Sequence, residues 1–247
     1  MITIEVCINS VASAIAAEAG GAHRVELCAA LPEGGTTPSF GTVKKALKLV
    51  QIPIFPIIRP RSGDFIYNEV ELDLMIEDIK AFCELGAHGF SFGVLDTNGR
   101  LDKDANARLI ETCQGKPTTL HRAFDRTCDL EKELEVAIEL GFNRILTSGG
   151  EISAPRGTDM LAKLVAQAGD RISIMAGAGI RPENVRELVM NTGVREVHGT
   201  FQSEEASRTI YKRAAFPTHY TEVIGEFSSM KSDTGKIRAV LQSLSNL

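Results

Sequence analysis

The stretch "GGAHRVEL" at residues 20–27 decides the fold, because the chain repeats its grammar three times: "LGAHGFSF" at 85–92, "LGFNRILT" at 140–147 and "TGVREVHG" at 192–199. Each copy runs Gly, an apolar residue, two variable positions, then a short β-prone run. A glycine in that place ends a helix in the left-handed conformation. Gly21, Gly86, Gly141 and Gly193 therefore read as helix C-caps, each introducing a strand. The copies recur at about the length of two βα units, so they mark every second strand of a longer alternation.

Strands are expected at 2–7, 23–28, 54–59, 89–94, 118–122, 144–148, 172–177 and 195–199. Helical patterns lie between them. Leu72, Met75, Ile76, Ile79 and Phe82 or Cys83 share one helix face, and so do Leu130, Leu134, Ala137 and Ile138. Pro38 and Pro182 fit the first turn of a helix, where a missing N–H costs nothing. Eight strands alternating with helices predict an α/β protein, one closed (βα)8 TIM barrel spanning residues 1–247 as a single domain. The competing reading, an open doubly wound sheet, lacks the G-x-G-x-x-G expected after its first strand. The segment 200–235 is polar and irregular. It suits a barrel cap, a short helix or part of an interface, before a last helix near 236–245.

Composition narrows the function. The 247 residues are 43% hydrophobic and 24% charged, with a net charge of −5. No basic patch suggests nucleic acid, and no apolar run reaches the ~20 residues of a membrane span. The N-terminus, "MITIEVC", reads straight into a strand rather than as a signal peptide. Five cysteines without C-x-x-C spacing read as free thiols in a reducing compartment, so a cytoplasmic location is expected.

In a barrel the outer face of each strand packs on helices, and alternate residues face the lumen. Apolar Ile2, Ile4 and Val6 then turn Thr3, Glu5 and Cys7 inward. Val25 and Leu27 turn Glu26 and Cys28 inward. The same rule gives Arg59 at the top of the third strand, Ser91 and Gly93 on the fourth, Thr119 and His121 on the fifth, Ser173 and Met175 on the seventh, and Glu196 and His198 on the eighth; the sixth is ambiguous. Strand eight neighbours strand one in a closed barrel. Cys7, Cys28 and His198 should cluster near the C-terminal mouth, with Glu5, Glu26 and Glu196 a layer below and Met175 on the same wall. Three buried carboxylates need counter-charges. Arg59, His121 and Arg122 are the first candidates, Arg61 and Arg144 the next. A barrel built only for support would fill its lumen with Val, Ile and Leu, so this polar lumen points to a site.

The motifs "RVELCAALPEGGTTPS", "PIIRPRSGDF", "LHRAFD", "LTSGG", "IMAGAGI" and "EVH" occur in this order over residues 24–198. The set resembles the CutC family, named for copper homeostasis. The resemblance implies a single TIM barrel, a cytoplasmic location, a homodimer, and Cu(I) binding through two cysteines at the barrel opening, which correspond to Cys7 and Cys28.

Three kinds of chemistry fit the mouth. The thiols of Cys7 and Cys28, with the His198 imidazole and a thioether nearby, form a soft metal-binding set suited to Cu(I) or Zn(II); buried cysteines also occur simply as small apolar residues. Glycine-rich strand ends offer anion-binding amides at Ser148, Gly149, Gly177 and Gly179, with residues 201–208 as a short helix and Arg61 as a cation. Glu26 and His121, facing across the lumen, suit acid/base catalysis with Arg59 or Arg61 holding a carboxylate or phosphate, and Asp64 orienting an arginine. The same groups also suit a structural ion-pair network. The functional readings are therefore a Cu(I)-binding protein, an enzyme acting on a small anionic or phosphorylated metabolite, or a scaffold with a vestigial lumen. Asp125 is a lesser site candidate. His23 and His88 precede strands at the bottom of the barrel and read as structural. Cys83, Cys113 and Cys128 read as structural or incidental, and His219 has no placement.

Overall fold

The computed structural model describes residues 2–211 and 227–245. The strands are β1 (Thr3–Ile8), β2 (Arg24–Leu27), β3 (Ile54–Pro56), β4 (Phe90–Phe92), β5 (Thr118–Leu120), β6 (Arg144–Thr147), β7 (Ser173–Gly177) and β8 (Glu196–Gly199). The helices that alternate with them are α1 (Val11–Gly20), α2 (Phe40–Leu49), α3 (Glu69–Leu85), α4 (Lys103–Thr112), α5 (Leu130–Leu140), α6 (Thr158–Ala168), α7 (Val185–Thr192) and α8 (Thr234–Leu244). Every pairing is parallel, in the order β3-β2-β1-β8-β7-β6-β5-β4. The ends of that row meet, because the Ile58 N–H donates to the Ser91 carbonyl at 2.8 Å and the His88 N–H to the Ile54 carbonyl at 3.1 Å. The fold is a TIM barrel.

The repeated motif has a physical job at each copy. Gly21, Gly86, Gly141 and Gly193 end α1, α3, α5 and α7 with φ of 91°, 88°, 89° and 72°. These backbones are closed to most side chains. Two positions later, His23, His88 and Asn143 each accept a backbone N–H from the preceding strand or its edge: Ile4 at 3.0 Å, Ile54 at 3.2 Å and Thr118 at 2.7 Å. The histidines are thus structural acceptors at the bottom of the barrel. Burial holds both imidazoles below their ordinary value, which keeps them neutral and able to accept.

The core lies between barrel and helices. Ile4, Val6, Val25, Leu27, Ile54, Phe90, Phe92, Leu120, Ile145 and Val197 face it from the strands, all fully buried. Leu72, Met75, Ile79 and Phe82 meet it from α3.

Three local expectations change. Pro38 and Pro182 stand ahead of their helices rather than in the first turn. Ser39 caps α2 by accepting the Thr42 N–H at 3.2 Å, and Asn184 precedes α7. Residues 201–208 hold no helix. Instead β9 (Gln202–Ala206) pairs antiparallel with β10 (Ser228–Ser232). This hairpin is tied to α1 by the Ser232 N–H donating to Ser13 Oγ at 3.2 Å. His219 lies outside the described residues. No helix among the described residues is long and apolar enough to cross a membrane.

Candidate functional site

Barrel shear sets the levels of the inward side chains. Glu5 is level with Arg24 on one side and with His198 on the other, while Cys7 is level with Glu26. The His198 backbone therefore sits a step lower than alternation alone suggests, level with Glu5, while its side chain still comes within reach of Cys7. The sixth strand resolves with Arg144 and Leu146 facing the lumen. Arg144 reaches Glu196 there, and Leu146 lines the mouth cavity described below.

The principal counter-charge is Arg24, which sequence reasoning missed. Its Nε donates to Glu5 Oε2, and its Nη2 donates to Glu196 Oε2 at 2.6 Å and approaches Met175 Sδ at 3.4 Å. Arg144 adds a bond to Glu196 at 3.2 Å. Both guanidiniums stack on the Phe55 ring, 5.2 and 5.3 Å from its centroid. The signal was available: Arg24 is two residues before Glu26 on one strand and so faces the same way. Burial alone would raise the Glu5 carboxyl, but Arg24 and His198 outweigh it and hold it at about 2. Glu196 follows the same logic, with burial opposed by Arg144 and Arg24, and ends below its ordinary value.

Above this network lie the thiols. Cys7 Sγ and Cys28 Sγ are 3.5 Å apart and both buried. Each points at the same oxygen, Glu26 Oε2, at 3.3 and 3.7 Å. The hydrogen bond with Cys28 and burial push the Cys7 thiol well up. For Cys28 the bond with Cys7 acts downward, but burial and Glu26 outweigh it and push the thiol up to about 11. His198 Nδ1 is 2.8 Å from Glu5 Oε1, and its Nε2 is 3.7 Å from Glu26 Oε2. Burial would keep this imidazole neutral, but contacts with Cys7 and Glu5 and the charge of Glu26 raise it well above its usual value. The donor atoms of Cys7, Glu26 and His198 all lie within 4.8 Å of one another. Glu26 thus joins the trio in which Cys28 was expected, and Cys28 abuts it through Cys7 and Glu26. Two sulfurs each about 2.3 Å from one ion stand about 3.8 Å apart at a tetrahedral angle. The observed 3.5 Å asks for little movement to admit an ion.

The residues considered for catalysis separate. Arg59 is spent on backbone: Nη1 donates to the Glu33 and Gly35 carbonyls at 3.0 and 2.8 Å, and Nη2 to Gly63 at 2.9 Å. It clamps the loops after β2 and β3 and pairs with no carboxylate among the described residues. His121 packs its ring 5.0 Å from Phe65, and its Nδ1 accepts the Ala123 N–H at 3.2 Å. Burial, with the Arg59 charge, lowers it to about 3, so it is no counter-charge either. Arg61 is bound to Asp64 at 3.0 Å and to Glu71 at 2.6 Å at the surface. Asp64 does orient an arginine, though away from the lumen.

The anion-binding residues also divide. The loop after β6 already holds an internal anion, the Asp125 carboxylate. It accepts from Thr147 Oγ1 at 2.5 Å, the Gly150 N–H at 2.8 Å and the Ser148 N–H at 3.2 Å, and pairs with Arg122 Nε. The Gly149 N–H donates to Thr147 Oγ1 at 2.9 Å. Ser148 and Gly149 therefore have no amide to offer a ligand. Gly177 is barrel wall, level with His198. Gly179 lines a cavity of about 580 Å³ between the loops after β7 and β8, with Leu146 and His198 at its buried end.

The CutC family model matches residues 2–203. A CutC family protein of Caulobacter vibrioides is 52% identical over 200 residues, 81% of each chain. One from Parabacteroides distasonis is 44% identical over 239 residues, 96% of this chain and 98% of its own. A Streptococcus agalactiae structure, whose name provisionally assigns it as the copper homeostasis protein CutC, is 36% identical with a TM-score of 0.78. The match covers 81% of this chain and 99% of that one. A monomeric phosphoribosylanthranilate isomerase from Thermotoga maritima, 14% identical with a TM-score of 0.59 over both full chains, shares the barrel.

Proposed function

We propose, because this chain belongs to the CutC family, that it serves copper homeostasis by taking up Cu(I) at the C-terminal mouth of its barrel through Cys7 and Cys28. The observation that carries this reading is the meeting of two buried thiols 3.5 Å apart on one carboxylate oxygen. Thiols bind metal as thiolates, so each must first lose its proton. Glu26 Oε2 is in contact with both and is the nearest acceptor for one of the two protons, the other passing to solvent as the ion binds, while Glu26 Oε1 has no hydrogen-bond partner among the described residues. Two thiolates suit a soft d10 cation better than a hard one. His198 supplies a third donor once deprotonated. Its Nδ1 contact with Glu5 fixes the ring, as outer partners of metal-bound imidazoles do.

Anaerobic titration with Cu(I) against a chromogenic chelator tests the reading. Wild-type protein takes up one equivalent and Cys7→Ser/Cys28→Ser takes up none. Undiminished uptake by the double variant contradicts it.

The same reading puts the protein in the cytoplasm, where reducing conditions keep thiols free, as all five are here. It also pairs the chain as a homodimer. Val70 and Leu74, exposed one turn apart on α3, are apolar surface such a pairing would bury. Light scattering on the purified protein reads the mass directly.

A further inference from the structure

The cavity between the loops after β7 and β8 meets the metal set only at His198, at its buried end, and the rest of its lining has a different chemistry. Arg122, Arg181 and Lys236 line it against one acid, Glu183, in a chain whose net charge is −5. Arg122 is partly spent on Asp125, and Lys236 Nζ donates to the Gln202 carbonyl at 2.6 Å. Arg181 forms no ion pair among the described residues.

The backbone adds to this positive lining. Ala178 and Gly179 follow one another with φ of 75° and 74°. Among the described residues their N–H groups donate to no protein acceptor. Consecutive free amides in a turn are donors suited to an anion. Left-handed backbone at a residue with a side chain is costly and is retained where a site needs it. Phe201, across the cavity, is a second such residue, with φ of 45°. The deeper wall is apolar: Leu146, Ile180 and Phe201 are all buried. A volume of about 580 Å³ suits a small molecule.

We infer that this cavity binds a small organic phosphate monoester. Its dianion rests on the Ala178 and Gly179 amides with Arg181 and Lys236, and its carbon body lies on Leu146, Ile180 and Phe201. This goes beyond the copper reading, since no Cys7 or Cys28 atom takes part.

The test is calorimetric titration of the full chain with glycerol 3-phosphate, inorganic phosphate and glycerol. Glycerol 3-phosphate binds, inorganic phosphate binds more weakly, and glycerol gives no heat of binding. Arg181→Glu, a change at an exposed side chain, weakens glycerol 3-phosphate at least about tenfold while the melting temperature stays near wild type. Cys7→Ser/Cys28→Ser binds it as wild type does, which keeps this result separate from the copper test. No binding of glycerol 3-phosphate at millimolar concentration, or equal binding by Arg181→Glu, overturns the site. Equal affinity for inorganic phosphate overturns the organic body.

Discussion

Nδ1 of His198 lies 2.8 Å from Oε1 of Glu5, a contact that joins the last barrel strand to the first. Glu5 holds Arg24 with its other oxygen, so one buried carboxylate compensates two cations. Replacing it by Glu5→Gln leaves both under-compensated in a low-dielectric lumen. The expected loss of stability is about 3–5 kcal/mol by urea unfolding. Glu139→Gln, which breaks an exposed 3.0 Å pair with Lys103, is expected to cost less than about 1 kcal/mol. Equal effects would mean that the lumen network is no more than a surface pair.

Acid should find the same residue. The Glu5 carboxyl is held at about 2 in the folded protein and has an ordinary value of 4.5. A depressed carboxyl stabilises fully above its unfolded value and loses that contribution as pH falls towards its folded value. The stability gap between wild type and Glu5→Gln should therefore be steady between about pH 5 and pH 6 and shrink towards pH 2; above that range it shrinks again, because His198, raised in part by Glu5, loses its charge. A gap independent of pH over that window would remove the charge from the explanation.

The repeated motif makes its own prediction. His23→Ala leaves the buried Ile4 N–H without its acceptor and should cost about 1–3 kcal/mol. His23→Asn should recover most of that, because Asn143 already does this work for Thr118. Urea midpoints of the three proteins decide it, and a His23→Asn as unstable as His23→Ala would show that the amide is not what the position serves.

Alternation and helix-capping glycines are local, so the eight strands and the inward set Glu5, Cys7, Glu26, Cys28, Glu196 and His198 were legible from the chain alone. Their heights were not. Shear is a property of the closed barrel, and it drops His198 level with Glu5. Arg24 was within reach of the same alternation, because it stands two residues before Glu26 and shares its face. Asp125 was underrated because its partners, Thr147, Ser148 and Gly150, lie on the neighbouring strand end more than twenty residues away. The strand Gln202–Ala206, "QSEEA", is polar on both faces and exists by pairing with Ser228–Ser232, a partner that no local pattern announces.

Copper K-edge absorption of the Cu(I)-loaded protein tests the central claim most directly. Two sulfur neighbours at about 2.3 Å are expected in wild type, the length usual for thiolate on a d10 ion, and one in Cys28→Ser. A first shell of nitrogen and oxygen alone, or two sulfurs persisting in Cys7→Ser/Cys28→Ser, would contradict the assignment of Cys7 and Cys28 as the copper ligands.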